Sequence, residues 1–231
     1  MIFNTNLVHG KLIKRYNRFL ADVSLDNGDI ITAHCTNSGS MKSCIEVGAS
    51  VYLTPNDDPS RRTKFTWEMI YINGGWVGVN TLMPNKLAFE SISKNKITKL
   101  AGYNFVKREV KFLDSRFDIY AENGVEKCFI EVKNVTMKSD NYALFPDSVT
   151  SRGLKHLETL VKVKKSGIRA VMLYIIQRTD VDTFGIAKEI DPKYNSGIIR
   201  AMAEGVEVIA MQAKVSPQEI TLQKELPIHI Y

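Results

Sequence analysis

Two short segments carry the residues whose types and spacing could do chemistry. The segment FIEVKNVT, residues 129–136, places Glu131 and Lys133 two positions apart in an otherwise apolar, β-branched run. Side chains alternate between the two faces of a strand, so both charges would project from the same face of a strand that looks buried. Charged groups in such a place need a partner, a metal ion or a catalytic role.

The segment SRFDIY, residues 115–120, adds a second carboxylate. If the two strands pair as a hairpin, Asp118 can lie beside Glu131, and neighbouring carboxylates repel unless a cation lies between them. Mg²⁺ or Mn²⁺ suits this position, because Mg²⁺ prefers hard oxygen ligands and often uses only one or two protein carboxylates plus a phosphate. Lys133 could orient the attacking water or stabilise the charged transition state. Asp118 and Glu131 as metal ligands, with Lys133, thus predict a phosphodiesterase site.

The same spacing also has a structural interpretation. Glu-x-Lys occurs twice, as EVK at residues 109–111 and again at residues 131–133, so at least one copy is expected to be structural. An ion pair of Lys133 with Glu131 or with Asp118 at a sheet edge would explain the charges without catalysis. Glu109 could serve as an outer ligand. The spacing alone leaves catalysis and a structural ion pair both open.

The first 80 or so residues predict a small β-barrel. FLADVSLDNGDIITAHC alternates around a DNG turn and KFTWEMIYINGGWVGVN around NGG, and both are strong hairpin signals. With a strand near residues 8–19 and another at SVYLT, about five short strands predict an OB-fold-like barrel over residues 1–83. Basic and aromatic residues interleave there, which is typical of nucleic-acid binding. The predicted contacts are Lys14, Arg15, Arg18, Arg61, Arg62 and Lys64.

Residues 84–231 predict a second domain in which helices cover a mixed sheet. A helix, three strands in an antiparallel meander, a second helix and an apolar strand give the order αβββαβ, and a further helix and strand follow. The predicted ranges are a helix at 85–95, strands near 105–112, 116–121 and 127–135, a helix at 151–167, the strand RAVMLYIIQR, a helix from Pro192 to Glu204 and the strand GVEVIAMQAKV. Residues 136–153 are expected to form a loop.

The helix that starts near residue 151 carries three further candidates. Arg152 and Lys155 are predicted to contact phosphate, because helix N-termini favour anions. His156 could reach a phosphate or act as an acid, although a partly exposed helix position is the expectation. Gln177, at the end of the apolar strand, could help to hold the site or could cap the strand.

The composition limits which binding partners and which cellular compartment are expected. The 31 Lys and Arg residues exceed the 25 Asp and Glu residues, and the basic residues cluster, as in KLIKRYNR, which favours an anionic partner such as nucleic acid. There is no apolar run of about 20 residues and no signal-peptide core. Three cysteines without a CxxC motif fit reduced thiols. These features predict a cytoplasmic protein without a membrane partner.

Longer stretches along nearly the whole chain resemble the sugar fermentation stimulation protein family, SfsA. They include RYNRFLADV, AHCTNSGSM, PNDDPSRRTKFTWE, GVNTLMPNKL, SRFDIY, IEVKNVTM, FPDSVTSRGLKHLETL and AVMLYIIQRTD. The resemblance implies a DNA-binding protein without sequence specificity that is linked to sugar metabolism, especially that of maltose. It also implies an N-terminal OB-like barrel and a C-terminal domain of the PD-(D/E)xK nuclease type.

This resemblance implies roles for four residues. Asp118 matches the acid of the nuclease hairpin, and Glu131 and Lys133 match the acid and lysine of the third strand. Glu90 lies on the preceding helix, where many such nucleases place an additional catalytic acid. The dipeptide Pro-Asp is absent before this hairpin, since Asp118 follows Arg116 and Phe117. The alternative is therefore a non-catalytic DNA-binding regulatory protein that retains the nuclease fold as a vestige.

Overall fold

The computed structural model describes residues 1–230, and its N-terminal part is a closed β-barrel. The strands are β1 (Val8–Tyr16), β2 (Leu20–Leu25), β3 (Ile30–His34), β4 (Ser50–Pro55), β5 (Phe65–Ile72) and β6 (Gly75–Gly78). Antiparallel ladders join β3, β2, β1, β4 and β5 in that order, and a parallel bridge between His34 and Thr66 closes the ring. The predicted OB-like barrel is confirmed, and β6 extends it beyond β5 as a sixth strand.

The barrel follows from alternating apolar residues and two tight turns. Inward-facing side chains such as Leu12, Val23 and Trp67 are fully buried, which places Trp67 in the core. The NGG turn between β5 and β6 has positive φ at Asn73 and Gly74 (51° and 77°). Such values fit the two-residue hairpin turns whose twist matches that of paired strands.

The second domain begins with a helix and, within residues 1–230, contains ten strands. Its elements are α1 (Met83–Ser93), β7 (Phe105–Phe112), β8 (Ser115–Glu122), β9 (Lys127–Val135), β10 (Met137–Ser139), β11 (Tyr142–Phe145), α2 (Ser151–Lys165), β12 (Arg169–Ile176), β13 (Thr183–Ile186), α3 (Pro192–Ala203), β14 (Glu207–Val215), β15 (Ile220–Glu225) and β16 (Ile228–His229). Among the described residues, none of the helices combines the length and the apolarity that crossing a bilayer requires.

The main sheet has the strand order β15-β14-β12-β9-β8-β7. The strands β7, β8 and β9 form the predicted antiparallel meander, whereas β12 runs parallel to β9 and to β14. The helix α1 packs on one face through Leu87 and Ile92, and α2 and α3 pack on the other through Leu160 and Ile198. The helices and the main sheet follow the predicted order αβββαβ, so the predicted fold class is confirmed.

A small second sheet corrects the prediction of a loop at residues 136–153. It has the order β10-β11-β13-β16, and β15 is a further strand beyond those predicted. Strands of two to four residues are too short to show a clear two-residue alternation, which is why the sequence pattern did not reveal this sheet.

Two side chains that follow β12 join the barrel to the second domain. Arg178 is fully buried, and its Nη1 donates to the carbonyls of Thr136 (2.7 Å) and Ser43 (3.3 Å). Gln177 Nε2 donates to the carbonyl of Gly78 (3.1 Å) and to Asn134 Oδ1 (2.9 Å). The bonds to Ser43 and Gly78 cross to the barrel, whereas those to Thr136 and Asn134 stay within the second domain, so each side chain links the two domains.

Candidate active site

A cleft of about 420 Å³ lies between the barrel and the second domain. The barrel lines it with residues 36–39 and Thr81. The second domain lines it with residues from α1, β8, β9 and α2 and with the segment that joins β11 to α2. Both domains are therefore needed to form the walls.

Asp118 lies at the base of the cleft, where β8 and β9 separate. Their ladder ends at the pair Ile119 and Ile130, so Asp118 and Glu131 follow as the next facing pair. Asp118 Oδ2 accepts a hydrogen bond from the backbone N–H of Val132 (2.8 Å), and Oδ1 accepts one from Asn85 Nδ2 (2.6 Å). Burial and then the negative charge of Glu131 raise the pKa of Asp118 to about 6.

Glu131 is buried and uses only one of its oxygens. Lys133 Nζ and His156 Nδ1 both contact Oε1, whereas the buried Oε2 has no hydrogen-bond partner. Burial alone would raise the pKa of Glu131, but the charge of Lys133 and the hydrogen bond from His156 outweigh it and lower this pKa. The result is an ionised, oriented carboxylate with one free oxygen beside a second carboxylate.

The barrel wall of the cleft is a loop clamped from two sides. Arg15 Nη2 donates to the carbonyls of Arg18 (2.9 Å), Asn37 (2.8 Å) and Gly39 (2.9 Å). On the other side, Asp147 Oδ2 accepts from the backbone N–H of Met41 (3.2 Å). A Cβ atom on Gly39 would overlap the carboxylate of Asp147, so a larger residue there would displace the Asp147 side chain from this close approach.

Comparison with known proteins decides the family. The model of the sugar fermentation stimulation protein RE domain matches residues 82–219, and that of the SfsA N-terminal OB domain matches residues 13–79. The chain belongs to the sugar fermentation stimulation protein family. The sugar fermentation stimulation protein homolog of Geobacter sulfurreducens is 45% identical over 229 residues, which cover 99% of this chain and 98% of the relative. The homolog of Rhodospirillum rubrum is 45% identical over 242 residues, covering 99% of each chain.

A solved structure shares this architecture throughout. The structure of Pyrococcus furiosus SfsA in complex with Ca²⁺ superposes with a TM-score of 0.89 at 27% sequence identity. The match covers 100% of this chain and 98% of that chain. The arrangement of barrel and second domain is thus common to two members of the SfsA family.

The structure brings together three of the four predicted catalytic residues. Asp118, Glu131 and Lys133 all line the cleft. Glu90 does not, because its carboxylate pairs with Lys94 Nζ (2.7 Å), directly after the end of α1, and with the N-terminal amine (3.7 Å). The residue of α1 that reaches the site is Asn85, one turn earlier, which the sequence reasoning missed.

The predicted nucleic-acid contacts occupy several environments. Arg152 is exposed and lines the cleft, and Arg61 and Arg62 are exposed on the loop between β4 and β5. Three exposed lysines have local partners: Lys14 pairs with Asp22, Lys64 donates to the carbonyl of Asp58 and Lys155 pairs with Asp114. Arg18 is exposed. The Arg15 guanidinium points into the cleft loop instead of solvent, so the observed role of Arg15 is to hold that loop.

His156 corrects a prediction. The sequence favours a partly exposed position, but the side chain is buried between α2 and the sheet, where it contacts Glu131 and the ring of Phe117. It lies on the same face of α2 as the buried Leu160, because residues four apart share a helix face. The position of this histidine within the apolar stripe of the helix is the sequence feature that could have indicated its burial.

Replacing Asp118 by Asn is expected to stabilise the metal-free protein at pH 8. The pKa of Asp118 is about 6 in the folded chain against an ordinary value of 3.8, so stability falls as the pH rises from about 4 to about 6 and stays lower above that range. The neutral amide of the variant could bond Val132 and a flipped Asn85 without this penalty. We expect a gain of about 1–3 kcal/mol at pH 8 that disappears below about pH 4.

The measurement is urea unfolding in EDTA at both pH values. Asp114→Asn is the control, since Asp114 is an exposed carboxylate on the same hairpin whose pKa is lowered by its hydrogen bond to Lys155. That variant should show no gain at pH 8. A loss of stability in Asp118→Asn at pH 8 would contradict the electrostatic account of the site.

Proposed function

We propose that this chain binds DNA without sequence preference and hydrolyses a phosphodiester bond with a bound Mg²⁺ or Mn²⁺. One observation carries the proposal: the facing carboxylates of Asp118 and Glu131 share the base of the cleft, and the buried Oε2 of Glu131 lacks a partner. Leaving a buried charged oxygen without a partner is costly. A hard divalent cation would satisfy this oxygen and remove the repulsion between the two acids.

The donor set fits Mg²⁺ or Mn²⁺. Two carboxylates and open space for waters and phosphate oxygens are what Mg²⁺ commonly uses at phosphoryl-transfer sites. The Pyrococcus furiosus relative was solved in complex with Ca²⁺, another cation that takes oxygen ligands, which supports a divalent cation in this chain as well. Asp118 and Glu131 are the residues that would hold it.

When bound, the cation would lower the pKa of a coordinated water and neutralise charge on a phosphoryl oxygen. The residues of the chain supply the remaining functions. Asn85 and the N–H of Val132 fix the carboxylate of Asp118, and His156 fixes that of Glu131. The ammonium of Lys133 lines the cleft, where it can orient the attacking water and balance negative charge on the reacting phosphate.

Exposed cations on both domains would hold the DNA backbone. Arg61 and Arg62 lie on the β4–β5 loop of the barrel, and Arg152 lies at the edge of the cleft near the N-terminus of α2. Contacts of this kind bind phosphates and read no bases, which accounts for binding without sequence preference. Affinity should therefore fall steeply as salt concentration rises.

The deciding experiment incubates the purified protein with plasmid, linear duplex and single-stranded DNA in the presence of Mg²⁺, Mn²⁺ or EDTA. We expect cleavage with a metal and none in EDTA. Salt-sensitive binding with no cleavage under either metal would overturn the catalytic proposal. It would leave the non-catalytic alternative, a DNA-binding regulator linked to sugar (maltose) metabolism whose nuclease fold is vestigial.

His156 is proposed as a positioning residue that acts through Glu131. Replacing His156 by Ala is expected to weaken Mn²⁺ binding and metal-dependent cleavage by about 10–100-fold, the usual effect of losing a group that orients a metal ligand. His156→Asn should restore part of this loss, because its amide can donate from nearly the position of Nδ1. Titration calorimetry with Mn²⁺ measures the binding.

Glu158→Gln provides the matched control on the exposed side of the same helix, where Glu158 pairs with Arg200 (3.5 Å). It should bind Mn²⁺ like the wild type. If His156→Ala lowers stability but leaves the Mn²⁺ affinity unchanged, His156 has a packing role alone.

A further inference from the structure

A second cavity, of about 350 Å³, adjoins the active-site cleft on the barrel side. Thr36 lines both cavities, and the first turn of α1 separates them, with Asn85 lining the cleft and Lys86 lining the second cavity. The other walls are residues 1–5 and residues of the barrel strands β4 and β5. The two cavities are thus neighbours that share Thr36 as a lining residue.

The second cavity contains a buried carboxylate that the proposed catalytic arrangement does not use. Glu68 is only 4% exposed, and burial raises its pKa. Its Oε1 accepts hydrogen bonds from Thr54 Oγ1 (2.8 Å) and Asn80 Nδ2 (3.0 Å), and its Oε2 accepts from Asn80 Nδ2 (2.9 Å). An ionised carboxylate offers about four acceptor positions, so Oε2 can accept one more donor.

The rim of the cavity combines cationic and apolar side chains. Arg61 and Lys86 are exposed cations among its lining residues. Ile2 and Leu82 also line it, and they are 71% and 58% exposed. Cations beside exposed apolar surface suit a single nucleic-acid strand, because the cations attract phosphates while the apolar groups cover the faces of unstacked bases.

We propose that this cavity binds one nucleotide of a single-stranded or frayed nucleic acid whose neighbouring phosphodiester lies in the cleft, with Glu68 accepting a hydrogen bond from the exocyclic amino group of its base. The proposal rests on the proposed function and specifies the substrate class. Bases within a duplex are read at their groove edges by elements that protrude into the groove. A buried carboxylate in the wall of a cavity can be reached only by a base that has left the stack.

The chemistry of Glu68 selects among the bases. Adenine, cytosine and guanine carry exocyclic amino groups. Thymine lacks one, and its ring N–H lies between two carbonyl oxygens that would repel a carboxylate. A cytosine should therefore bind better than a thymine of similar size. Preference at one nucleotide is compatible with binding many different sequences.

The test compares fluorescently labelled deoxycytidine and thymidine homopolymers of about 12 nucleotides, a length within the usual reach of OB-fold sites. Fluorescence anisotropy in EDTA measures binding without cleavage. We expect the cytidine polymer to bind about tenfold more tightly, as is typical of a hydrogen bond to a charged group. The corresponding duplex should bind more weakly than the cytidine strand. Glu68→Gln should abolish the preference for cytidine.

Lys86→Ala should weaken binding of both polymers and lower the salt slope by about one. Lys96→Ala is the matched control, since Lys96 is an exposed lysine beyond the end of α1, and it should leave both the affinity and the preference unchanged. If Glu68→Gln does not fold, as judged by circular dichroism, the proposal is tested by the preference of the wild type for the cytidine polymer and by the affinity of Lys86→Ala. Equal affinity for the two polymers, or a preference that survives in folded Glu68→Gln, overturns the proposal.

Cleavage is measured separately with Mn²⁺, so the two proposals can fail independently. Preference for cytidine without any cleavage would support the nucleotide subsite and reject the nuclease. Cleavage by a protein that binds both polymers equally would support the nuclease and reject the subsite.

Discussion

Lys133→Ala is expected to lose metal-dependent DNA cleavage by a factor of about 10²–10³ while the protein still folds and binds DNA. Removing a positioned group that stabilises transition-state charge has typical effects of this size. The ammonium of Lys133 contacts Glu131 and lines the cleft, so the truncation removes the positive charge nearest the two acids. Exposed cations elsewhere on the surface, such as Arg61 and Arg62, would continue to bind phosphates.

The repeated Glu-x-Lys pattern offers a matched control. Lys111 belongs to the other copy, EVK at residues 109–111, and is exposed on the edge strand β7. Lys111→Ala removes the same charge from the same short pattern, and we expect it to cleave like the wild type. Initial rates on linear duplex and single-stranded DNA with saturating Mn²⁺ give the comparison.

Two outcomes would contradict this prediction. Equal cleavage by wild type and Lys133→Ala would show that Lys133 does not take part in the reaction. An equal loss of cleavage in Lys133→Ala and Lys111→Ala would indicate that both lysines act through DNA binding and that Lys133 has no special role in the chemical step. Anisotropy with labelled DNA in EDTA separates these cases, because it reports binding when no cleavage can occur.

The sequence indicates which copy of Glu-x-Lys lies in the cleft, because the pairing that brings this copy to Asp118 follows from local sequence patterns. The meander of β7, β8 and β9 follows from short connections and alternating residues, and pairing of β8 with β9 brings Asp118 to Glu131. Hairpin partners are close in the chain, so their register can be inferred from the sequence.

The groups that surround these acids could not be inferred in the same way. The bond of Asn85 to Asp118 spans 33 positions, and that of His156 to Glu131 spans 25. Such contacts depend on how far each helix is displaced along the sheet and rotated about its own axis, which packing decides. Glu90 and Asn85 lie on the same helix, and only the observed packing shows that Asn85 faces the cleft. Arg15 lies in a basic segment of the sequence that is typical of phosphate binding. Its guanidinium nevertheless points inward and donates to carbonyls that only the folded loop brings together.

Arg178→Met is expected to destabilise the protein by about 3–5 kcal/mol, the typical cost of breaking a buried ion pair by removing one partner. The guanidinium of Arg178 donates to Asp180 through Nε (2.7 Å) and Nη2 (2.8 Å) and to the carbonyls of Thr136 and Ser43 through Nη1. Burial would raise the pKa of Asp180, but hydrogen bonds and charges from Arg178 and Lys138 hold it far below its usual value. Methionine fills similar space without replacing any of these bonds.

For a chain of this size the loss corresponds to a fall in the melting temperature of about 2–4 °C per kcal/mol. Arg62→Met is the control, because Arg62 is exposed on the β4–β5 loop and surface substitutions usually change stability by less than about 0.5 kcal/mol. Thermal and urea unfolding followed by circular dichroism measure both variants. An Arg178→Met protein as stable as Arg62→Met would show that other contacts hold the domains together.

A second substitution separates the lost pair from the lost interdomain bonds. In Arg178→Met, Asp180 keeps Lys138 (3.1 Å) but loses its buried partner, so adding Asp180→Asn should recover part of the stability. The carbonyls of Thr136 and Ser43 would remain without the guanidinium in both variants. Since Ser43 belongs to the barrel and Thr136 to the second domain, the part that is not recovered includes the bond by which Arg178 links the two walls of the cleft.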